Sequence, residues 1–211
     1  MESTLRRDLI PEDLEVIETF GRLATGEMPR LERHVGRMCL TARKLGFGFS
    51  APKAREMAAE ITGNVDLRCR FSLTRNGLKL TTAPLGETAR SWKVAVAAET
   101  LDEKSPWRGM KTSERQIYDT ARASLPEGVD EVIFLNSRGH VAEGTITNVF
   151  VQDDAGILLT PAVSAGALPG ILRAELLAEG KAKVARLSVD DLHQGRLFCG
   201  NSLRGLIPAR F

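Results

Sequence analysis

With 211 residues, 43% of them hydrophobic and 27% charged, the chain has the composition of a soluble globular protein, long enough for one large core or two small ones. A formal net charge of +2, scattered Lys and Arg and only 5% aromatic residues exclude a broad electrostatic or stacking surface for nucleic acid. No apolar stretch approaches the roughly 18 residues of a membrane span, so no membrane partner is expected.

In chain order, "MESTLRRDLIPEDLEVIETF" carries acids and a proline without a long apolar centre, unlike a signal peptide. In "PRLERHVGRMCLTARKLGF", Leu31, Val35, Met38, Ala42 and Leu45 recur at steps of three and four, which predicts an amphipathic helix ended by Gly46. A second helix is predicted over "APKAREMAAEI". The run "DLRCRFSLTRNGLKLTTA" alternates on both sides of Asn76-Gly77, a hairpin signal. "PLGETARS" reads as a linker and "WKVAVAAE" as a buried strand. "TSERQIYDTARASL" has helical spacing, with Thr112 or Ser113 as cap. "DEVIFLNSRGHVAEGTITNVFVQDDAGILLT" reads as three strands separated by "SRG" and "DDAG". In "LPGILRAELLAEG" the spacing predicts a helix with Pro169 just inside its start and Gly180 past its end. A strand "AKVARL", a helix from Ser188 and a strand "RLFCG" complete the chain. The class is mixed α/β, with a small N-terminal domain over 1–83, a linker over 84–91 and a larger domain over 92–211.

The three cysteines, Cys39, Cys69 and Cys199, are odd in number and far apart, which suggests reduced thiols in a cytoplasmic protein. His34, His140 and His193 have no metal-ligand spacing, and no metal is expected. Two features carry chemistry. The Leu168-Pro169-Gly170 turn would open a helix whose first N–H groups, from Gly170, Ile171 and Leu172, point at an anion, with nothing on Gly170 to obstruct it. Otherwise the turn is only a tight connection. Glu143, in "HVAEGTITN", is either a surface turn residue or a buried carboxylate holding a proton on a heterocyclic nitrogen.

The order Glu143, Thr145, Asn148-Val149-Phe150, Leu158-x-Thr160, Leu168-x-Gly170-Ile171-x-Arg173 resembles the signature of the class IV aminotransferases. This pyridoxal-phosphate family includes branched-chain and D-amino-acid aminotransferases and 4-amino-4-deoxychorismate lyases. "RLERHVGRM", "MKTSERQIYDTARA" and "FCGNSLRGLIPA" agree with it in order, so the resemblance runs from about residue 16 to the end. The last two are most similar to the lyase branch.

The resemblance implies a two-domain fold type IV enzyme with a shortened N-terminal domain, since only about seventeen residues precede Glu18-Thr19. It implies that Lys111 holds the cofactor as a Schiff base and shuttles the proton, and that Glu143 pairs with the pyridine nitrogen. Arg37 would grip the phosphate, helped by Gly170, Ile171 and the Asn201-Ser202 loop. Asn148 would support the sheet around Glu143. Arg108 and Arg204 are candidates for substrate carboxylates. Branched-chain members carry a tyrosine five residues after the lysine. Gln116 stands there and Tyr118 follows two positions later, so that contact is unassigned. A homodimer acting on a small-molecule amine is expected. The first reading is a lyase releasing pyruvate and 4-aminobenzoate in folate biosynthesis. The alternatives are an aminotransferase acting on a branched-chain or D-amino acid, and a non-enzymatic paralogue that binds pyridoxal phosphate.

Overall fold

The computed structural model describes residues 9–211. The N-terminal reading rests partly on residues 1–8, outside that range. The chain divides into two compact units: Met1–Glu87 with Met110–Glu114, and Thr88–Gly109 with Arg115–Phe211. It therefore leaves the second unit after Gly109, contributes a short segment to the first, and returns. The linear reading of 92–211 as one domain does not contain that crossing.

The first unit is an antiparallel sheet of β1 (Val16–Arg22), β2 (Leu67–Thr74) and β3 (Gly77–Pro84), in that order, with helices α1 (Leu31–Leu45) and α2 (Ala51–Ala59). β2 shows the alternation its sequence carries: Leu67, Cys69, Phe71 and Leu73 are buried, while Arg68 and Arg70 are exposed. The stripe of α1 buries Val35, Met38, Ala42 and Leu45, and Gly46 ends the helix at φ 70°. The hairpin falls one residue earlier than its signal suggests. Thr74 pairs with Gly77, so Arg75 and Asn76 form the loop, and Gly77 takes φ 132° as the first residue of β3.

The second unit is an eight-stranded mixed sheet. Its strands are β4 (Trp92–Leu101), β5 (Glu131–Asn136), β6 (Val141–Gly144), β7 (Asn148–Gln152), β8 (Leu158–Thr160), β9 (Ala182–Val184), β10 (Arg196–Asn201) and β11 (Gly205–Arg210). The order is β6-β5-β4-β11-β10-β7-β8-β9. Helices α3 (Gln116–Ala123), α4 (Ile171–Ala178) and α5 (Val189–Gln194) accompany it. The sequence pattern did not show β11, because Pro208 argues against a strand interior. Ladder partners to β4 are confined to Ala209 and Arg210, beyond the missing N–H.

The sheet must curl. In a flat sheet the four strands between β6 and β7 would separate them by about 24 Å. The chain from Gly144 to Asn148 can span only about 15 Å. Gly144 N in fact donates to Thr147 O at 2.8 Å, so the edge strand β6 comes round to β7.

The interruption at 145–147, where the sequence reads as one continuous strand, has a cause 14 residues upstream. The Glu131 carboxylate is fully buried and accepts from Thr145 N at 2.9 Å, Ile146 N at 3.2 Å, Thr147 Oγ1 at 3.0 Å, and also from the Thr145 hydroxyl and Val132 N. N–H groups that a ladder would have used are taken by a side chain instead. Arg122 Nη1, 3.6 Å from Glu131, supplies the nearest opposite charge.

Three other expectations shift. Thr112 and Ser113 do not cap α3, whose start at Gln116 has no side-chain cap; both are bonded to β1 residues or their neighbours. Pro169 precedes the α4 N-cap, Gly170, and is not inside the helix. The three strands read between 130 and 160 are four. Among the described residues no helix is long and apolar enough to cross a membrane.

Glu131→Gln should weaken the fold, because the amide NH2 would face donors in place of an acceptor oxygen. The expected loss is about 1–3 kcal/mol in chemical denaturation. An unchanged midpoint would mean that the 145–147 turn is held by other groups.

Candidate active site

In the first unit the residues of interest gather on β1. Ile17 N donates to Lys111 O at 2.8 Å, Ser113 N to Glu15 O at 2.9 Å and Glu15 N to Ser113 Oγ at 2.9 Å. Val16 and Thr112 form an antiparallel bridge. The backbone from the Lys111 carbonyl to Ser113 is thus fixed on both sides of Thr112, and Lys111 is partly buried.

The next β1 residue, Glu18, is 1% exposed. Its Oε1 accepts from Arg37 Nε at 2.7 Å and its Oε2 from Arg37 Nη2 at 2.7 Å, a planar two-bond pair. His34 Nδ1 lies 2.6 Å from Oε2 and donates there in the tautomer that carries its proton on that nitrogen. Arg37 is therefore not a solvated helix residue: one edge of its guanidinium is set by a buried carboxylate. Burial pushes the Glu18 carboxyl up, but Arg37 and His34 outweigh it and hold it below the ordinary glutamate range.

In the second unit the centre is Glu143, 7% exposed on β6. Tyr118 Oη donates to its Oε1 at 2.6 Å and Leu168 N to its Oε2 at 2.9 Å. It is not a surface turn residue. Asn148 Nδ2 donates to Leu168 O at 2.9 Å, so Leu168 is clamped at both of its backbone polar groups. This agrees with a supporting role for Asn148 and gives it a definite partner.

The same amide explains Gly170. A Cβ on Gly170 would overlap the Asn148 amide oxygen, so the glycine is required by a neighbouring side chain and not first by a ligand. Gly170 N is itself committed, donating to Leu168 O at 2.8 Å. The first N–H groups of α4 are thus those of Ile171 and Leu172, with no side chain capping that turn. Arg173, 5% exposed, does not face the turn; its Nε and Nη2 donate to Pro161 O at 3.2 and 2.8 Å. Burial pushes its guanidinium down, while the charge of Glu143 acts the other way.

Asn201 is occupied as well. Its Oδ1 accepts from Leu203 N at 3.1 Å and Arg204 N at 2.9 Å, and its Nδ2 donates to Ile146 O at 3.3 Å. Its side chain shapes the turn that presents Ser202 and Arg204, both partly buried. Arg108 Nη1 donates to the Tyr118 hydroxyl, and Arg108 Nε is buried without a hydrogen-bond partner. Gln116 is exposed at the start of α3, while Tyr118 reaches Glu143. The sequence gives Glu18 and Tyr118 no role, and Glu131 is not singled out there at all. For Glu131 a signal was present: an acid opening an otherwise apolar strand, with Thr145 and Thr147 two apart downstream.

With that geometry in hand, the family matches are informative. Residues 15–210 match the family Amino-transferase class IV, and the chain belongs to it; its members are pyridoxal-phosphate enzymes. A Mesorhizobium loti structure, provisionally assigned as an amino-acid aminotransferase, is 40% identical, with a TM-score of 0.88 over 94% of this chain and 99% of that one. The 4-amino-4-deoxychorismate lyase of Pseudomonas aeruginosa shares the fold at 22% identity, with a TM-score of 0.77 over 93% of this chain and 82% of that one. Aminodeoxychorismate lyase of Saccharomyces cerevisiae is 28% identical over 147 residues, covering 57% of this chain and 38% of the yeast protein. The match thus spans well under half the length of that relative. The α/β fold is that of the fold type IV enzymes.

The donor set suits pyridoxal phosphate: a buried, fixed carboxylate for a protonated ring nitrogen, and a helix start with no side-chain cap for a phosphate.

Two outcomes are expected from this geometry. Because the folded carboxyl of Glu18 titrates below the unfolded one, its contribution is whole above about pH 4.3 and is lost as pH falls through the folded value. Glu18→Gln should therefore lower stability at pH 7 and show a shallower loss between pH 5 and 3 in urea unfolding. An identical acid branch in the two proteins would contradict the role given to Glu18. Gly170→Ala should destabilise by about 1–3 kcal/mol through overpacking. Adding Asn148→Ala should recover part of the lost melting temperature, and no recovery would place the clash elsewhere.

Proposed function

We propose that the protein is a pyridoxal-phosphate-dependent 4-amino-4-deoxychorismate lyase. The observation that carries the cofactor part is Glu143, a buried carboxylate fixed through both oxygens by the Tyr118 hydroxyl and Leu168 N–H, which suits it to face a protonated ring nitrogen. The match to the yeast lyase supports the substrate part. So does the exposed Gln116 at the position where branched-chain members carry a tyrosine.

When bound, the cofactor supplies an electron sink for the bond broken beside the substrate amine. The chain's own residues do the rest. Lys111, its backbone pinned to β1, supplies the amine that carries the cofactor and moves the substrate proton. Glu143 keeps the ring nitrogen protonated. The N–H groups of Ile171 and Leu172 bind the phosphate, with Ser202 presented on the turn that Asn201 shapes, while in the first unit Glu18 orients Arg37, the arginine that the family resemblance assigns to a phosphate. The unsatisfied Nε–H of Arg108 suits a substrate carboxylate, and Arg204 offers a second cation.

A second reading, transfer of an amino group from a small amino acid, is favoured by the 40% identity to the Mesorhizobium loti protein. It would use the same Lys111 and Glu143.

The test is incubation of the loaded enzyme with aminodeoxychorismate alone, then with pairs of amino donor and keto acid. Release of pyruvate and 4-aminobenzoate without a keto acid supports the lyase; turnover only with a pair supports the transferase. Lys111→Ala should abolish either activity while leaving the circular dichroism unchanged. Normal multiple turnover by that variant would refute the assignment of Lys111.

A further inference from the structure

Tyr118 and Leu168, both donors to Glu143, differ in kind. Leu168 N–H belongs to the backbone, whereas the Tyr118 hydroxyl is a choice of side chain. Tyr118 is 8% exposed and closely held. Its ring meets Phe134 edge-on at 5.2 Å, and the Arg108 and Arg115 guanidinium carbons lie over it at 5.1 and 5.6 Å. Arg115 Nη2 also donates to Thr145 O at 3.0 Å, tying the start of α3 to the turn after Glu143.

The direction of the hydrogen bonds follows from chemistry. Arginine only donates and an ionised carboxylate only accepts. With Arg108 Nη1 donating to the Tyr118 oxygen, the single phenolic proton goes to Glu143 Oε1. The relay Arg108 to Tyr118 to Glu143 thus runs one way, from a cation to an anion, and each bond polarises the next.

Resting on the pyridoxal-phosphate reading, we propose that Tyr118, oriented by Arg108, is a positioning residue. It fixes the plane of the Glu143 carboxylate and weakens that carboxylate as a proton acceptor, so that a proton shared with a heterocyclic nitrogen stays on the nitrogen. A bare carboxylate in a buried site draws the proton toward itself, because burial disfavours its charged form. Two donors already on its oxygens oppose that. The phenol does not lose its role by ionising: burial, and after it the Glu143 charge, pushes Tyr118 far above the ordinary phenol range, against a smaller lowering by Arg108.

The experiment uses full-length enzyme reconstituted with pyridoxal phosphate carrying 15N in the ring. Wild type should give the ring-nitrogen chemical shift of a protonated pyridine. Tyr118→Phe, which removes one oxygen atom and keeps the packing, should move that shift toward the neutral value. Cofactor Kd should stay within about threefold, and kcat should fall by about tenfold or more. Arg108→Gln should move the shift in the same direction by less, and serves if the phenylalanine variant misfolds. A wild-type shift in folded, loaded Tyr118→Phe, or in Arg108→Gln where that variant serves, would overturn the role of Tyr118 while leaving the cofactor reading intact. Failure of the wild-type protein to take up pyridoxal phosphate would overturn both.

Discussion

The buried carboxylate of Glu131 is the constraint on which the second unit depends. It collects the N–H groups of Thr145 and Ile146 and the hydroxyls of Thr145 and Thr147. That breaks what would have been one strand into β6 and β7. The break lets an edge strand turn back onto β7, and Glu143, the next-to-last residue of β6, is buried immediately before it. Gly144 is part of the same device, since a Cβ there would collide with Thr147 Oγ1 and the Glu131 carboxylate. One acid is spent on architecture so that another, two residues before the turn, has a fixed place.

A similar division recurs around Leu168. Glu143 takes its N–H, and Asn148 and Gly170 N share its carbonyl, so the turn into α4 is set by hydrogen bonds before any ligand arrives. In the first unit Glu18 does for Arg37 what Glu131 does for the 145–147 turn. In each case a buried acid is satisfied by several donors, which offsets its loss of solvation, and the geometry it imposes is handed to a neighbour.

Local signals were the most readable part of the chain. The α1 stripe with its terminal Gly46 and the β2–β3 alternation reflect interactions between near neighbours, and each is visible within a dozen residues. The signature from Glu143 to Arg173 placed the carboxylate and the α4 turn because those residues lie on one short stretch. What escaped was set by partners far away in sequence. Glu131 breaks a strand 14 residues on. Tyr118 finds Glu143 25 residues on. Gly170 is required by Asn148, and its own N–H is consumed locally by Leu168 O. Nothing in the sequence around Pro208 hints that β4 and β10 flank it.

The crossing of the chain at Met110–Glu114 bears on how the protein reaches its native state. The bonds that seat Lys111 join it to residues 15–17, with the pair Glu15 and Ser113 separated by 98 positions. Such contacts close a long loop and contribute nothing until most of the intervening chain is ordered. Seating Lys111 therefore carries the entropy of closing that loop, which the local pairing in the hairpins does not. The topology thereby ties the placement of Lys111 to the completion of the fold around it.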